Sequence, residues 1–352
     1  MNTLFFFGMC LIVAINDCVS ESDIEQEWKL FKDTYKKDYA NNATEEIIRK
    51  QIFINNTQMI KEHNAKFETG NVTFKMGMNQ FGDLKHEEFL KRFSYREIKE
   101  KHFEDDYNNE DVYIDDDHND EEERPTPPEF HWKEPEEVNS VRDQRNCSSG
   151  WAYSAADAIA GRCFVHKDCS KTTSFLSVQY LIDCSSGAGN HGCRGGEAVK
   201  ACELVKLNEK VPDEKSYNRQ CRMDKFQHTI KLNIGCHQRK VDDSCSSKTL
   251  KKSIKKHGPV SGSVSVEQPS FQFAKEGIYY EEKCDKTANH DVLVVGYGTD
   301  KGHDYWIVKN SFGISWGNNG FLNISANATK DDCRILNKYM FPVFKGKKII
   351  DL

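Results

Sequence analysis

The chain has 352 residues, 38% apolar and 30% charged, a composition that suits one or two packed domains and excludes an overall disordered chain. Its formal net charge of −6 argues against nucleic acid as a partner. Thirteen cysteines turn attention to the N-terminus, which sets the redox compartment.

Leu4 to Ile15 is an apolar run, too short to cross a bilayer core of ~30 Å. Cys18 and Ser20 follow as small residues, so residues 1–20 read as a signal peptide cut before Glu21. The stretch departs from that pattern in lacking Lys or Arg, and a buried N-terminal helix is the competing reading. No other run is long enough to span a membrane, and a secreted or lysosomal address, where disulfides form, is expected.

Two helical patterns come next. Trp28, Phe31, Tyr35 and Tyr39 recur at steps of three and four, an aromatic stripe on one helix. Glu45, Arg49, Phe53, Asn56, Ile60 and Asn64 make a second stripe, which mixes ions, amides and apolar groups. A plain core helix rarely does that, so pairing with a specific surface is expected. The stretch from Phe74 to Leu84 alternates like a strand and carries Gly77, Asn79, Phe81 and Asp83. From His102 to Arg124 the chain turns strongly acidic, which reads as an exposed linker, with a partner-binding tail or a joint cleaved at Arg124 as alternatives. Beyond Pro125 the composition is globular. Helical patterns lead (Trp151 to Val165, Ser177 to Cys184) and strand patterns close the chain (Asp291–Gly298, Asp304–Asn310, Gly320–Ala326), which predicts an α+β fold with two unlike halves.

Several ordered motifs then carry a resemblance. The six-residue stripe is similar to the ERFNIN signature of an inhibitory pro-region, and Gly77, Asn79, Phe81 and Asp83 to its GNFD signature. "DQRNCSSGWAYS", "GCRGG", "NHDVLVVGYGT" and "KNSFGISWGNNGF" resemble the segments around the catalytic residues of papain-family cysteine proteases of the cathepsin L type. The resemblance implies a papain-like two-lobed fold, a helical lobe beside a barrel-like strand lobe, preceded by a helical pro-region. The domains expected are a signal peptide (1–20), the pro-region (21–100), an acidic disordered linker (101–125) and the papain-like domain (126–352).

In such a protease a thiolate at a helix N-terminus attacks the peptide carbonyl, an imidazole handles the proton, an amide orients the imidazole and another donor holds the oxyanion. The resemblance assigns Gln144 to the oxyanion, His290 to the proton and Asn310 to the orienting role, with Gly195, Gly196, Phe312 and Trp316 lining the cleft. At the nucleophile's place stands Gly150, which has no side chain. Ser149 lies one residue earlier, so a helical start turns its side chain ~100° away. Phe312 stands where the family has a tryptophan, Asp291 where it has a small residue, and Arg145 where it has a glycine. Together these changes point to an inactive homologue in which His290 and Asn310 persist as a structural pair. The expected function is peptide or protein binding in the cleft. An endopeptidase using a non-standard residue, and a pro-region that inhibits related cathepsins, are the alternatives.

The resemblance also implies bridges Cys147–Cys193, Cys184–Cys221 and Cys284–Cys333. Of the remaining cysteines after the signal, Cys163–Cys169 and Cys236–Cys245 are the local pairings expected, leaving Cys202 over. The spacings fit no common zinc motif, so neither metal nor cofactor is expected. Glycan acceptors are Asn42, Asn55, Asn71, Asn146, Asn323 and Asn327, of which Asn146 lies beside the cleft.

Overall fold

The computed structural model describes residues 21–95, 127–132, 138–166, 176–208, 210–217, 219–221, 229–232, 234–240, 247–281, 288–326 and 338–344. Residues 1–20 and 101–125, the expected signal peptide and acidic linker, lie outside the described residues.

Helix α1 (Glu21–Tyr35) buries Trp28 and Phe31 against Phe53 of α2 (Ala43–Glu68), with ring centroids 5.3 Å and 4.9 Å apart. The first stripe runs past the helix, because Lys36 takes a left-handed φ of 52° and ends it. Tyr39 nevertheless turns back to stack on Trp28. Asn42 caps α2 by accepting from the Glu45 N–H. The mixed stripe on α2 does pair with a specific surface. Arg49 makes two bonds to Glu88 (2.6 and 2.8 Å) and one to the Asp83 carbonyl (2.9 Å). Asn56 donates to the Gly82 and Leu84 carbonyls, and Asn64 exchanges two bonds with the Met76 backbone. Phe53 and Ile60 fill the apolar positions between them.

The strand expected from Phe74 to Leu84 is much shorter: β1 is Phe74–Met76 alone. Asn79 ends the alternation, since its Oδ1 accepts from the Phe81 N–H and its Nδ2 donates to the Gln272 carbonyl. Helix α3 (His86–Phe93), unforeseen in the sequence, follows this turn and buries Phe89 and Phe93.

The body begins with β2 (Phe130–His131), then α4 (Gly150–His166), α5 (Val178–Cys184) and α6 (Ala198–Asn208). Next come β3 (Lys210–Pro212), β4 (Thr229–Lys231), β5 (Ile234–Lys240), α7 (Ser247–His257) and β6 (Val260–Val264). The chain closes with α8 (Pro269–Phe273), β7 (Ala274–Tyr279), β8 (His290–Asp300), β9 (His303–Lys309), β10 (Phe321–Ser325) and β11 (Lys338–Phe344). The main sheet runs β1-β7-β10-β9-β8-β6-β11-β5, so the N-terminal segment adds its own strand, β1, antiparallel to β7.

Two cores lie on either side of β8. Val292 and Val294 face a strand-side core that also takes in Phe74, Phe81, Phe89 and Phe93. Leu293 and Val295 face a helix-side core built on Trp151, Ala155 and Ile159 of α4. The alternation of strand side chains thus makes β8 the divider, and its first residue, His290, stands at the seam. The α+β arrangement with two unlike halves is as expected.

Candidate functional site

α4 opens at Gly150 and β8 at His290, and the two meet. A Cβ built on Gly150 would lie 2.5 Å from His290 Cε1 and 2.9 Å from Nδ1, so the imidazole fills the space a side chain at 150 would need. On its far side, His290 Nε2 lies 2.8 Å from Asn310 Oδ1, which also accepts from the Ser311 N–H at 2.7 Å. On its near side, Nδ1 lies 3.2 Å from the Phe93 carbonyl of the N-terminal segment. Both neighbours accept, whereas a neutral ring carries one proton. Burial opposes the charged ring and pulls its pKa down to about 4, against the pull of Asn310 and the Phe93 carbonyl.

The segment Val141–Arg145 runs beside Asn310–Gly313 through Gln144 N–H to the Ser311 carbonyl (2.8 Å) and Gly313 N–H to the Arg142 carbonyl (3.1 Å). Arg145 adopts φ 54°, a conformation in which a glycine costs less, and its N–H donates to Asp143 Oδ1 at 2.8 Å. The turn therefore keeps its shape despite the side chain. Gln144 is buried; its Nε2 donates to the Cys147 carbonyl (2.7 Å) and its Oε1 accepts from Ser311 (2.5 Å).

Phe312 does not leave the histidine open to water. It is 0% exposed, with its ring 4.8 Å from that of His290 and against Phe81, Phe89 and Phe93. Trp316 is buried beside it, and its indole N–H donates to the Phe271 carbonyl at 3.0 Å. The two cleft glycines differ in what they permit. A Cβ on Gly195 would strike Tyr95 of the N-terminal segment at 2.5 Å, so close approach of another backbone does need this glycine. A Cβ on Gly196 would strike Asn190 and Trp151 instead, a packing reason internal to the helical half.

The N-terminal segment leaves α3 through this cleft. Ser148 donates to the Arg92 and Ser94 carbonyls at 3.1 Å each, and the Tyr95 N–H donates to the Asn289 carbonyl at 2.8 Å. Ser149 is buried and its hydroxyl faces the Cys147 carbonyl at 3.4 Å.

The family model for papain family cysteine proteases matches residues 126–343, and that for the cathepsin propeptide inhibitor domain matches residues 28–89. The chain belongs to the papain family. Digestive cysteine proteinase 3 of Homarus americanus is 35% identical over 96% of this chain and 98% of its own length. Cathepsin L1 of Drosophila melanogaster is 34% identical over 97% and 92%. The structure of digestive procathepsin L 3 from the larval midgut of Tenebrio molitor superposes with a TM-score of 0.74 at 33% identity, covering 91% of this chain and 99% of that one. This is a cathepsin L-like precursor with a papain-like α+β body, preceded by a helical propeptide that lies in its own cleft. Among the described residues no helix is long and apolar enough to cross a membrane.

Asp291, flagged by its carboxylate, is buried but paired: it accepts from Ser263 at 2.6 Å. It lines a small cavity together with Glu197, Ser261, Ser263 and Met340. A network the motifs did not reveal lies nearby. Asp157 of α4 accepts from Arg142 (2.6 Å), Asn139 (2.8 Å) and the buried Lys309 (2.5 Å). Burial works against its charge, but Lys309 and Arg142 outweigh it and hold the carboxyl below its ordinary range. The signal for this network was Asp157 itself, the one acid in α4.

Cys147–Cys193 and Cys184–Cys221 are formed. Cys284 and Cys333 lie outside the described residues. The local pairing Cys236–Cys245 is corrected: Cys236 of β5 bonds Cys202 of α6, the residue expected to be left over, because α6 packs across β5 and brings the sulfurs together. Cys163 is also disulfide-bonded, while Cys169 and Cys245 fall outside the described residues. Asn42, Asn55, Asn71 and Asn146 are exposed, Asn323 is half-buried on β10, and Asn327 lies outside the described residues. No cluster of metal-ligating side chains occurs among the described residues.

Proposed function

We propose that this cathepsin L-like precursor binds polypeptide in its cleft without thiol chemistry, as a secreted or lysosomal regulator or carrier. The observation that supports this is Gly150. It opens the helix whose N-terminus would stabilise a thiolate, and it abuts the imidazole that would take the proton. Glycine offers no atom to form an acyl bond. His290, Asn310 and Gln144 then serve as a buried polar lattice that shapes the cleft. In this reading residues 1–20 are the signal, 21–100 the pro-region, 101–125 the linker and 126–352 the binding body.

The second reading is a peptidase that uses a non-standard residue, and the names of its relatives, cathepsin L1 and digestive cysteine proteinase 3, favour it. Its candidate, Ser149, has its hydroxyl on the Cys147 carbonyl, while His290's ring nitrogens face the Phe93 carbonyl and Asn310 Oδ1. The test is hydrolysis of fluorogenic peptides by the acid-matured protein, with labelling by a fluorophosphonate. The first reading predicts peptide binding and no turnover. Turnover abolished by Ser149→Ala would establish the second.

A further inference from the structure

We infer that Gln272 is the residue through which the body recognises its propeptide, at a site outside the cleft. This goes beyond the proposed function and does not depend on what Gly150 does. Gln272 stands in α8 between Phe271 and Phe273, and all three are 1% exposed. A carboxamide in such a place is costly unless its donors and its acceptor are met. Nε2 donates to the Phe81 carbonyl (3.1 Å) and to the Leu84 carbonyl (3.3 Å), and Oε1 faces His86 Nδ1 at 3.4 Å. Among the described residues, every hydrogen bond of this carboxamide goes to the propeptide. The main-chain carbonyl of Gln272 accepts from Asn79 Nδ2 at 2.8 Å. The other ring nitrogen of His86, Nε2, lies 2.7 Å from the Glu267 carbonyl, just before α8.

The carbonyls that Gln272 reads are presented by a particular turn. Asn79 Oδ1 accepts from the Phe81 N–H, the Gly82 N–H donates to the Asn79 carbonyl (3.0 Å) and the Leu84 N–H to the Phe81 carbonyl (3.0 Å). A Cβ on Gly82 would strike Met78 and Phe31, so the turn needs its glycine. On the propeptide side, Asn56 of α2 donates to the Gly82 and Leu84 carbonyls. The Leu84 carbonyl thus accepts from two amides, one from the propeptide and one from the body, which uses both its lone pairs. Gln272 completes a polar network that α2 begins. The other polar contacts select less. The Gly77 N–H to Phe273 carbonyl bond (2.8 Å) extends the β1–β7 pairing, and in the cleft Ser148 and His290 meet main-chain carbonyls of Arg92, Phe93 and Ser94. Main-chain bonds of that kind are open to any extended segment, whereas a buried amide left unmatched penalises the wrong partner. The polypeptide that fits α8 is therefore one whose Asn-stabilised turn brings two carbonyls to one point and carries an imidazole two residues beyond.

The test is amide hydrogen exchange, read by peptide mass, on the full-length precursor at neutral pH, natural and Gln272→Leu. Leucine is close in bulk but neither donates nor accepts. The expected result is exchange across residues 77–89 that is faster by roughly tenfold or more, with α4 and β8 within about twofold of the natural chain. Unchanged exchange across 77–89 would remove Gln272 as the anchor. A rise of equal size in α4 and β8 would make it a residue of the general fold, and either result overturns the inference. His86→Ala reads the same contact from the propeptide, at a half-buried position, and decides the matter if the leucine variant does not fold. It should speed exchange across 77–89 by roughly threefold or more and leave α4 and β8 unmoved. No change across 77–89 in that variant would count against the clamp.

Discussion

A buried imidazole between two acceptors ties stability to pH. Unfolded, His290 takes a proton near pH 6.5; folded, only near 4. Between those values the unfolded chain binds more protons, so the precursor loses stability as pH falls through this window, by on the order of 3 kcal/mol. Urea unfolding at pH 7 and pH 4.5 should show that loss in the natural chain and a smaller one in His290→Gln. Equal losses would remove His290 from the account. Asp157 is the opposite case, a charge whose partners keep it ionised. Asp157→Ala strands Lys309, which is 3% exposed, and should cost about 3–5 kcal/mol by urea midpoint. His290, Asn310 and Gln144 were legible because motif order fixes them. Asp157's partners were not, because Asn139, Arg142 and Lys309 meet only after the chain has folded.

Among the elements, the mixed stripe on α2 was the most legible, since ions and amides at helical spacing demand a polar partner surface, and α2 found one in the Asp83–Glu88 region. The alternation from Phe74 to Leu84 misled because period two is also what a turn with an Asn side-chain bond produces over a few residues. Helix α3 escaped notice for its shortness, eight residues, although it holds the two phenylalanines that reach the site. A third consequence follows: residues 21–100, added to an active cathepsin L-type enzyme, should inhibit it. Phe93→Ala should weaken that inhibition roughly tenfold or more, by removing a buried ring. An unchanged inhibition constant would show that α3 does not anchor the propeptide.

Across the whole molecule, β8 divides two cores, and the propeptide contributes side chains to one of them as well as a strand to the sheet. Periodicity made the two unlike halves legible, since helical and strand patterns occupy different stretches. It could not give the α6–β5 disulfide, because sequence distance says nothing about two elements that pack across each other. Position 150 is decisive, for a Cβ there would lie 2.5 Å from the His290 ring and 2.9 Å from the Asp291 carbonyl. Gly150→Cys should therefore be strained in the precursor, where the ring has to retreat, by about 1–3 kcal/mol. The most direct measurement is intact mass and peptide mapping of acid-matured protein after exposure to a thiol-reactive epoxide, for the natural chain and for Gly150→Cys. The account predicts one adduct within residues 141–161 of the variant and none there in the natural chain. A stoichiometric adduct in that segment of the natural chain, with peptide turnover lost in parallel, would contradict it.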